Sequence, residues 1–544
     1  TTRDLLSAHT LRQQPQRPTT LCRQISQHNL HGSCCTHRLN QPAISGESRS
    51  KSGEVAAYRG EVTVTASALL EHRFADTLPE LSLDWQAVPA PSPSLLALDE
   101  DLARELGLDP DWLRSPAGLR FLIGNDVPEG ARPVAQGYAG HQFGGYSPRL
   151  GDGRALLLGE IVTPDGSLRD LHLKGSGRTP FSRGGDGWAT VGPMLREQVM
   201  ATAMHALGVP TTRSLAVTGT GAEVARETLL PGAVLTRVAS SHLRVGTFQY
   251  AAALVAGGHA PAGLLDRLTE HAIDRHYPQL TDADRPGLAL LTAVAQAQAR
   301  LVAHWMSLGF VHGVLNTDNV LISGETIDYG PCAFADTFDP SAVFSSIDQG
   351  GRYASGNQPR ITQWNLARFA EALLPVIDEN VDTAVELASE VINDFPSHYD
   401  DAFAARMATR LGLDPETADR ALVKDLVELM QTEQADITLL FQDLTRVAGG
   451  EVGTFADRPA YAEWLARWLT HHPDAQAMAT ANPVYIPRNH LVQAALDAAV
   501  AGDLEPVNQL LDVLREPFTV RAGFEDYARP APSDFGDYVT YCGT

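Results

Sequence analysis

The sequence predicts an α+β protein in two lobes, a small sheet-rich lobe followed by a helical lobe that runs on into a helical C-terminal extension. Three observations carry that reading. Strand-like apolar runs separated by glycine-bearing turns fill residues 149–239. From 241 the apolar spacing turns helical and includes the long run "GLALLTAVAQAQARLVAHWMSLGF". From 363 to the end the chain reads almost wholly as amphipathic helix rich in Ala, Leu, Asp and Glu.

Taken in order, residues 1–60 are rich in Gln, Ser, Thr, Arg and His with little apolar periodicity, and read as a disordered or non-native tail. Being Arg- and Ser-rich and acid-poor, they also fit a transit peptide. Short helical signals and Pro-rich connectors such as "VPAPSPS" occupy 61–125. "RLGDGRALLLGEIVTPDGSLRDLHLKG" predicts a turn, a strand Ala155–Val162, a "PDGS" turn and a strand ending at Lys174. On that second strand Leu171 and Leu173 share a packed face, while His172 and Lys174 look into a cleft. After a glycine-filled loop comes a helix with Pro193 in its first turn and Gly208 as its stop. "TRSLAVTG", "AEVARETLL" and "AVLTRVA" predict further strands, and "NVLIS" and "ETIDY" two short ones. The expected divisions are a tail (1–60), the small lobe with its extension (61–240), the helical lobe (241–390) and the helical extension (391–544).

Composition narrows the function. The chain has 544 residues, a net charge of −23 and 44% hydrophobic residues, with pI ≈ 5.1 and mean hydropathy −0.13. Residues 1–60 hold eight Lys/Arg against three Asp/Glu, or +5, and the remainder, 34 against 62, carries −28. Such an acidic protein is a poor partner for nucleic acid or an anionic membrane, and no apolar run approaches the roughly 20 residues that span a bilayer. The five cysteines are Cys22, Cys34, Cys35, Cys332 and Cys542. They form no C-x-x-C pair, which speaks against a zinc site and a disulfide scaffold and for a reducing compartment. A cytoplasmic monomer is expected, or a mitochondrial one if residues 1–60 act as an address.

"FVHGVLNTDNVLISGETIDYG" (310–330) has the spacing of a protein-kinase catalytic segment. His312 takes the His of H-R-D, Asn319 the metal-binding Asn, and Asp328-Tyr329-Gly330 the D-F-G. The catalytic Asp of that series falls on Val314, which accepts no proton. Asp318, directly before Asn319, fits a general base and a turn cap equally well.

Phosphoryl and nucleotidyl transfer both need a divalent ion on hard oxygen ligands and a cation on the phosphates. Asn319 and Asp328 offer an amide oxygen and a carboxylate to Mg²⁺. Lys174 ends a strand, and Glu197 on the next helix can hold its ammonium. The ordered set is much rarer by chance than any member alone. "GDGR" (151–154) fits a phosphate cradle or a plain hairpin turn. Arg178, Arg183, Arg237 and Arg244 fit phosphate contacts, and each taken singly fits a surface salt bridge. No G-x-x-x-x-G-K-[ST] is present, which excludes the P-loop class.

"GHQFGGYSPRLGDGRA", "LHLKGSGRTPFSRGGDG", "TRVASSHLRVG", "GVLNTDNVLISGETIDYGP" and "QGGRYASGNQPRITQWNLARF" together resemble the selenoprotein O family, the bacterial YdiU-type proteins. The resemblance runs from about residue 73 to the C-terminus, where "YCGT" matches the family's terminal selenocysteine or cysteine. It implies a protein-kinase-like fold that transfers AMP, with ATP bound in the reverse sense so that the α-phosphorus faces a Ser, Thr or Tyr hydroxyl of a protein. On matching positions it implies Asp318 as proton acceptor, Asn319 and Asp328 as ligands of Mg²⁺ (or Mn²⁺), and Lys174 on the phosphates with Glu197 as its partner. Gly151, Gly153, Arg154, Asp186, Gly187, Arg237 and Arg244 complete the implied nucleotide site, with Asp328. The family's redox link suggests a reversible disulfide between Cys332 and Cys542. Two other readings stand beside protein adenylyl transfer: a conventional kinase using Asp318 as base, and a nucleotide-binding scaffold without chemistry.

Overall fold

The computed structural model describes residues 70–455 and 458–541. At its N-terminal end the strands β1 (Leu70–Glu71), β2 (Ser82–Asp84) and β3 (Ser94–Leu98) alternate with the short helices α1 (Arg73–Thr77), α2 (Glu100–Glu105), α3 (Pro110–Arg114) and α4 (Pro116–Leu122). Asp99, Asp109 and Ser115 cap α2, α3 and α4 by accepting from N–H groups of the first turn. There follow β4 (Val134–Gln136), the hairpin β5 (Gly140–Gln142) and β6 (Gly145–Ser147), β7 (Ala155–Val162), β8 (Leu168–Lys174), β9 (Ala189–Thr190), α5 (Val191–Ala206), β10 (Arg213–Ala225) and β11 (Leu229–Ala239).

Nine strands form one antiparallel sheet in the order β2-β4-β7-β8-β11-β10-β3, with β1 on β7 and β9 on β11. The expected β7 and β8 form with the boundaries read from the sequence. Alternation then sorts their side chains. Leu156, Leu158, Leu171 and Leu173 pack with α2 to α4 in one core, while Leu157 joins Met194, Leu195 and Val199 of α5 in another. Burying each of those α5 side chains is worth about 1.5–3 kcal/mol, so α5 is held firmly against the sheet.

Beyond the sheet the described chain is largely helical: α6 (Val245–Ala256), α7 (Leu264–His276), α8 (Pro286–Leu308), α9 (Gln358–Ile377), α10 (Val381–Arg410), α11 (Arg420–Thr432), α12 (Ile437–Ala448), α13 (Pro459–Leu469), α14 (Ala475–Ala481), α15 (Asn489–Val500) and α16 (Glu505–Arg515). The strands β12 (Phe310–Val311) and β13 (Ala333–Phe334) pair with each other. α8 opens on Pro286 and stops at Gly309, whose φ of 75° only glycine adopts cheaply. α15 and α16 return to pack on α5, and residues of α10 to α14 build a separate apolar cluster. No helix among the described residues is long and apolar enough to cross a membrane.

Three sequence expectations need correction. "AEVARETLL" is not one strand: its first part ends β10, residues 226–228 turn, and its last part begins β11. "NVLIS" and "ETIDY" do not form strands. Leu321 bridges to Arg244 and Thr326 to Thr211, so these backbones pair outward with other segments. Nor does α-helix continue beyond α16, where Pro517, Gly523, Pro530, Pro532 and Gly536 leave only one short 3-10 turn, Glu525–Ala528. Thr540 in that tail bonds instead to Phe344 and Pro331.

Candidate active site

A cleft of ≈ 390 Å³ gathers Gly151, Gly153, Arg154, Lys174, Asp186, Gly187, Glu197, Arg237, Arg244, Asp318, Asn319 and Asp328, which are all of the catalytic, nucleotide and metal residues that the family resemblance implies. Their elements explain the convergence. Lys174 ends β8 and Arg237 lies on the adjacent β11, so both side chains leave one sheet face. Glu197 comes from α5, packed over that face. Arg244 precedes α6, and Asp318, Asn319 and Asp328 come from the segment after β12.

Asp328 is the hub. Its Oδ1 accepts from Lys174 Nζ at 2.5 Å and from Arg237 Nη1 at 2.9 Å, and its Oδ2 from Arg244 Nη1 at 3.1 Å. Burial alone would raise this carboxyl, but the three cations hold it well below the usual carboxylate range. Its backbone is left-handed, at φ 65°, an uncommon conformation for a residue with a Cβ and one that gathers at functional sites. The preceding residue is fixed by His312, whose Nε2–H donates to Ile327 O at 2.9 Å. Lys174 Nζ also pairs with Glu197, and Arg237 Nη1 stands 4.0 Å from the other oxygen of Glu197.

Asp318 is built differently. It lies under the β5–β6 hairpin, where Gln142 Nε2 donates to its Oδ2 at 3.2 Å while Oδ1 is buried without a partner. Burial pushes its pKa up to about 6. The hairpin is tied to the same segment by Thr317, which accepts from His141 N at 2.7 Å, and by Asn316, which accepts from Phe143 N at 3.2 Å. A Cβ on Gly140 would stand 2.4 Å from Asp318 Oδ1, so the carboxylate occupies the space that a side chain there would take. Arg244 spans the two aspartates: its Nη1 also donates to Asp318 O at 2.7 Å, and its guanidinium lies 4.5 Å over the ring of Tyr138.

The amide of Asn319 gives its Nδ2–H to Val314 O at 2.8 Å, which directs Oδ1 the other way. No group of three or more His, Cys, Asp or Glu side chains among the described residues is arranged to hold a metal ion. Gly151 has φ 66°, and a Cβ there would overlap the ring of Phe181 at 2.3 Å, so the "GDGR" backbone lies close against the 179–182 turn. Asp186 reaches the cleft from the exposed rim, paired with Arg226 at 2.6 Å.

Two arginine expectations divide. Arg183 lines the cleft, whereas Arg178 is exposed and lines a separate groove beside Trp85. The residue-level reading also missed Tyr138, Gln142 and Gly140. Gly140 and Gln142 lie in "GHQFGGYS" and Tyr138 two residues before it, and nothing local links that string to a segment about 175 residues later. Cys332 is a buried free thiol, pushed up to about 12 by burial, with Sγ donating to Tyr329 O at 3.2 Å. Cys542 lies outside the described residues.

Residues 66–515 match the family described as protein adenylyltransferase SelO. The protein nucleotidyltransferase YdiU of Mycolicibacterium smegmatis is 61% identical over 486 residues, 89% of this chain and 100% of that protein. The YdiU proteins of Mycolicibacterium paratuberculosis and Rhodococcus jostii are 58% and 53% identical, each over 89% of this chain and over 100% and 96% of their own lengths. The chain belongs to the SelO family of protein adenylyltransferases, and is thus a nucleotidyltransferase.

Proposed function

We propose that this protein transfers AMP from ATP to Ser, Thr or Tyr hydroxyls of proteins, in a kinase-like two-lobed fold whose lobes span 61–240 and 241–390, with 391–544 as an extension. The observation that carries the reading is the pairing of two unlike aspartates: Asp328 ringed by Lys174, Arg237 and Arg244, and Asp318 buried with a raised pKa. Six Lys and Arg side chains line the cleft against five Asp and Glu, so a polyphosphate entering it meets a slight excess of positive charge.

Lys174, Arg237 and Arg244 engage the phosphates, and Glu197 keeps Lys174 extended toward them. Gly151, Gly153, Arg154, Asp186 and Gly187 border the nucleotide, their glycines admitting close approach. Asn319 and Asp328 suit a hard divalent ion such as Mg²⁺ or Mn²⁺. The ion would take one amide oxygen and one carboxylate from the chain and the rest of its ligands from phosphate and water, the usual arrangement for magnesium. When bound it offsets phosphate charge.

Asp318 takes the proton of the acceptor hydroxyl. That oxygen bonds to the α-phosphorus as the α–β phosphoanhydride breaks, and pyrophosphate departs with the electron pair. With a pKa of about 6, Asp318 is mostly ionised at neutral pH yet basic enough to hold a proton in transit. Val314, buried and apolar, supplies nothing at the place where a kinase keeps its base.

ATP labelled at the α- or the γ-phosphate tests the proposal on an acceptor protein such as casein. Retained α label is expected. Retained γ label would make the protein a kinase, and neither label with ATP still bound would make it a scaffold.

A further inference from the structure

His172 has no part in the roles above, yet it is completely buried on the same sheet face as Lys174 and Arg237. It stands opposite Arg237 in the β8–β11 register, where cross-strand neighbours interact most strongly. Its Nδ1 lies 3.3 Å from Arg237 Nη2, and its Nε2 lies 3.2 Å from Asp152 Oδ2. A guanidinium can only donate, so Nδ1 must carry the lone pair and the ring proton sits on Nε2, pointing at Asp152. Burial lowers the His172 pKa, in keeping with a neutral ring. Asp152 is anchored in turn by Gln136 N–H at 3.0 Å. On its flat side His172 stacks on His242 at 4.0 Å, and Asp170 holds His242 through Nδ1 at 3.0 Å.

We propose that His172 is the positioning residue for Arg237, a neutral acceptor that fixes one edge of the guanidinium so that the other faces Asp328 and the phosphates. The proposal rests on the reading of Arg237 as a phosphate ligand. The choice of residue has a physical reason. A carboxylate at 172 would orient Arg237 as well, but it would cancel the charge that the nucleotide needs. An apolar residue would leave buried Nη2 unsatisfied and free to turn toward Glu197, already within 4.0 Å of Nη1. A neutral imidazole orients the group and preserves its charge.

The test is Mg²⁺-ATP affinity of the full chain by calorimetry. His172→Phe keeps the ring and its stacking but removes both nitrogens, and should weaken binding about tenfold or more. His172→Gln can accept from Arg237 and donate to Asp152, and should stay within about threefold of wild type. In an Arg237→Ala background His172→Phe should cost nothing further, because the two act as one unit. Wild-type affinity in His172→Phe, failure of rescue by Gln, or independent multiplying losses would each overturn the proposal. If His172→Phe does not fold, His172→Leu takes its place in the same cycle. Were the wild type to bind ATP but transfer no α label, the adenylyl-transfer reading would fall while the binding series still decided the role of His172.

Discussion

Asp318 and Asp328 stand ten residues apart on one segment and border one cleft, yet their surroundings treat a carboxylate in opposite ways. Asp328 is half-buried among Lys174, Arg237 and Arg244 and stays charged well below the normal range. Asp318 is buried against Gly140, with one amide donor on Oδ2, and rises to about 6. Asp318 is the more deeply buried of the two, but the neighbours separate them further. Where guanidinium and ammonium groups line the pocket, desolvation is more than repaid by ion pairing, and where a hairpin of glycine and aromatic residues lines it, desolvation prevails. The difference separates an anchor that must not take a proton from a base that must.

Removing the anchor is the largest perturbation. Asp328→Ala leaves three buried cations without their shared counter-charge and deletes the carboxylate assigned to the divalent ion. Transfer of α label should fall by about 10³ or more, and Mg²⁺-ATP binding should weaken with it. Asp318→Asn comes next and breaks the comparison from the other side. The amide cannot take a proton, so kcat should fall about 10²- to 10³-fold. Binding of ATP should stay within about threefold, because the Asp318 side chain touches none of the three cations and Arg244 bonds to its backbone oxygen. Equal losses of binding in both variants would erase the proposed division of labour.

The anchor was far more legible in the sequence than the base. Lys174, Glu197, Asn319 and Asp328 sit at spacings set by elements that the sequence announces: a strand end, the helix after it, and the loop after β12. Arg237 was visible as one arginine among several, and its place on the same sheet face as Lys174 emerged only from strand order. Arg178 was credited alongside it because loop composition carries no direction. The base was harder still. Val314 showed where a carboxylate was missing and Asp318 showed a spare one, but what makes Asp318 a base is Gly140 and Gln142, brought to it across 176 residues by tertiary packing. "NVLIS" and "ETIDY" failed for a related reason: their apolar residues are buried against other segments, with no strand partnership between the two runs.

Gly140→Ala sharpens the contrast at a smaller scale. The new Cβ would meet Asp318 Oδ1 at 2.4 Å and Leu150 Cδ1 at 2.7 Å, distances that real Cβ atoms do not tolerate. Either the hairpin lifts or the carboxylate turns, and kcat should drop about 10- to 100-fold with ATP affinity nearly unchanged. Wild-type turnover in this variant would mean that the hairpin does not hold Asp318 during catalysis.

The mildest change should appear mainly as a pH effect. Asp318 must be ionised to receive the hydroxyl proton, so activity should decline below about pH 6 and approach a tenfold loss per unit. Gln142 donates to the carboxylate and thereby favours the charged form. Gln142→Ala removes that donor, so the Asp318 pKa should rise and the acid limb of kcat should move to higher pH, with only a few-fold loss at pH 8, where the group is ionised in both proteins. Asp328, held far lower by its three cations, contributes no limb in this range. A limb that stays in place, or moves to lower pH, would show that the proton-accepting group is not the one beneath the hairpin.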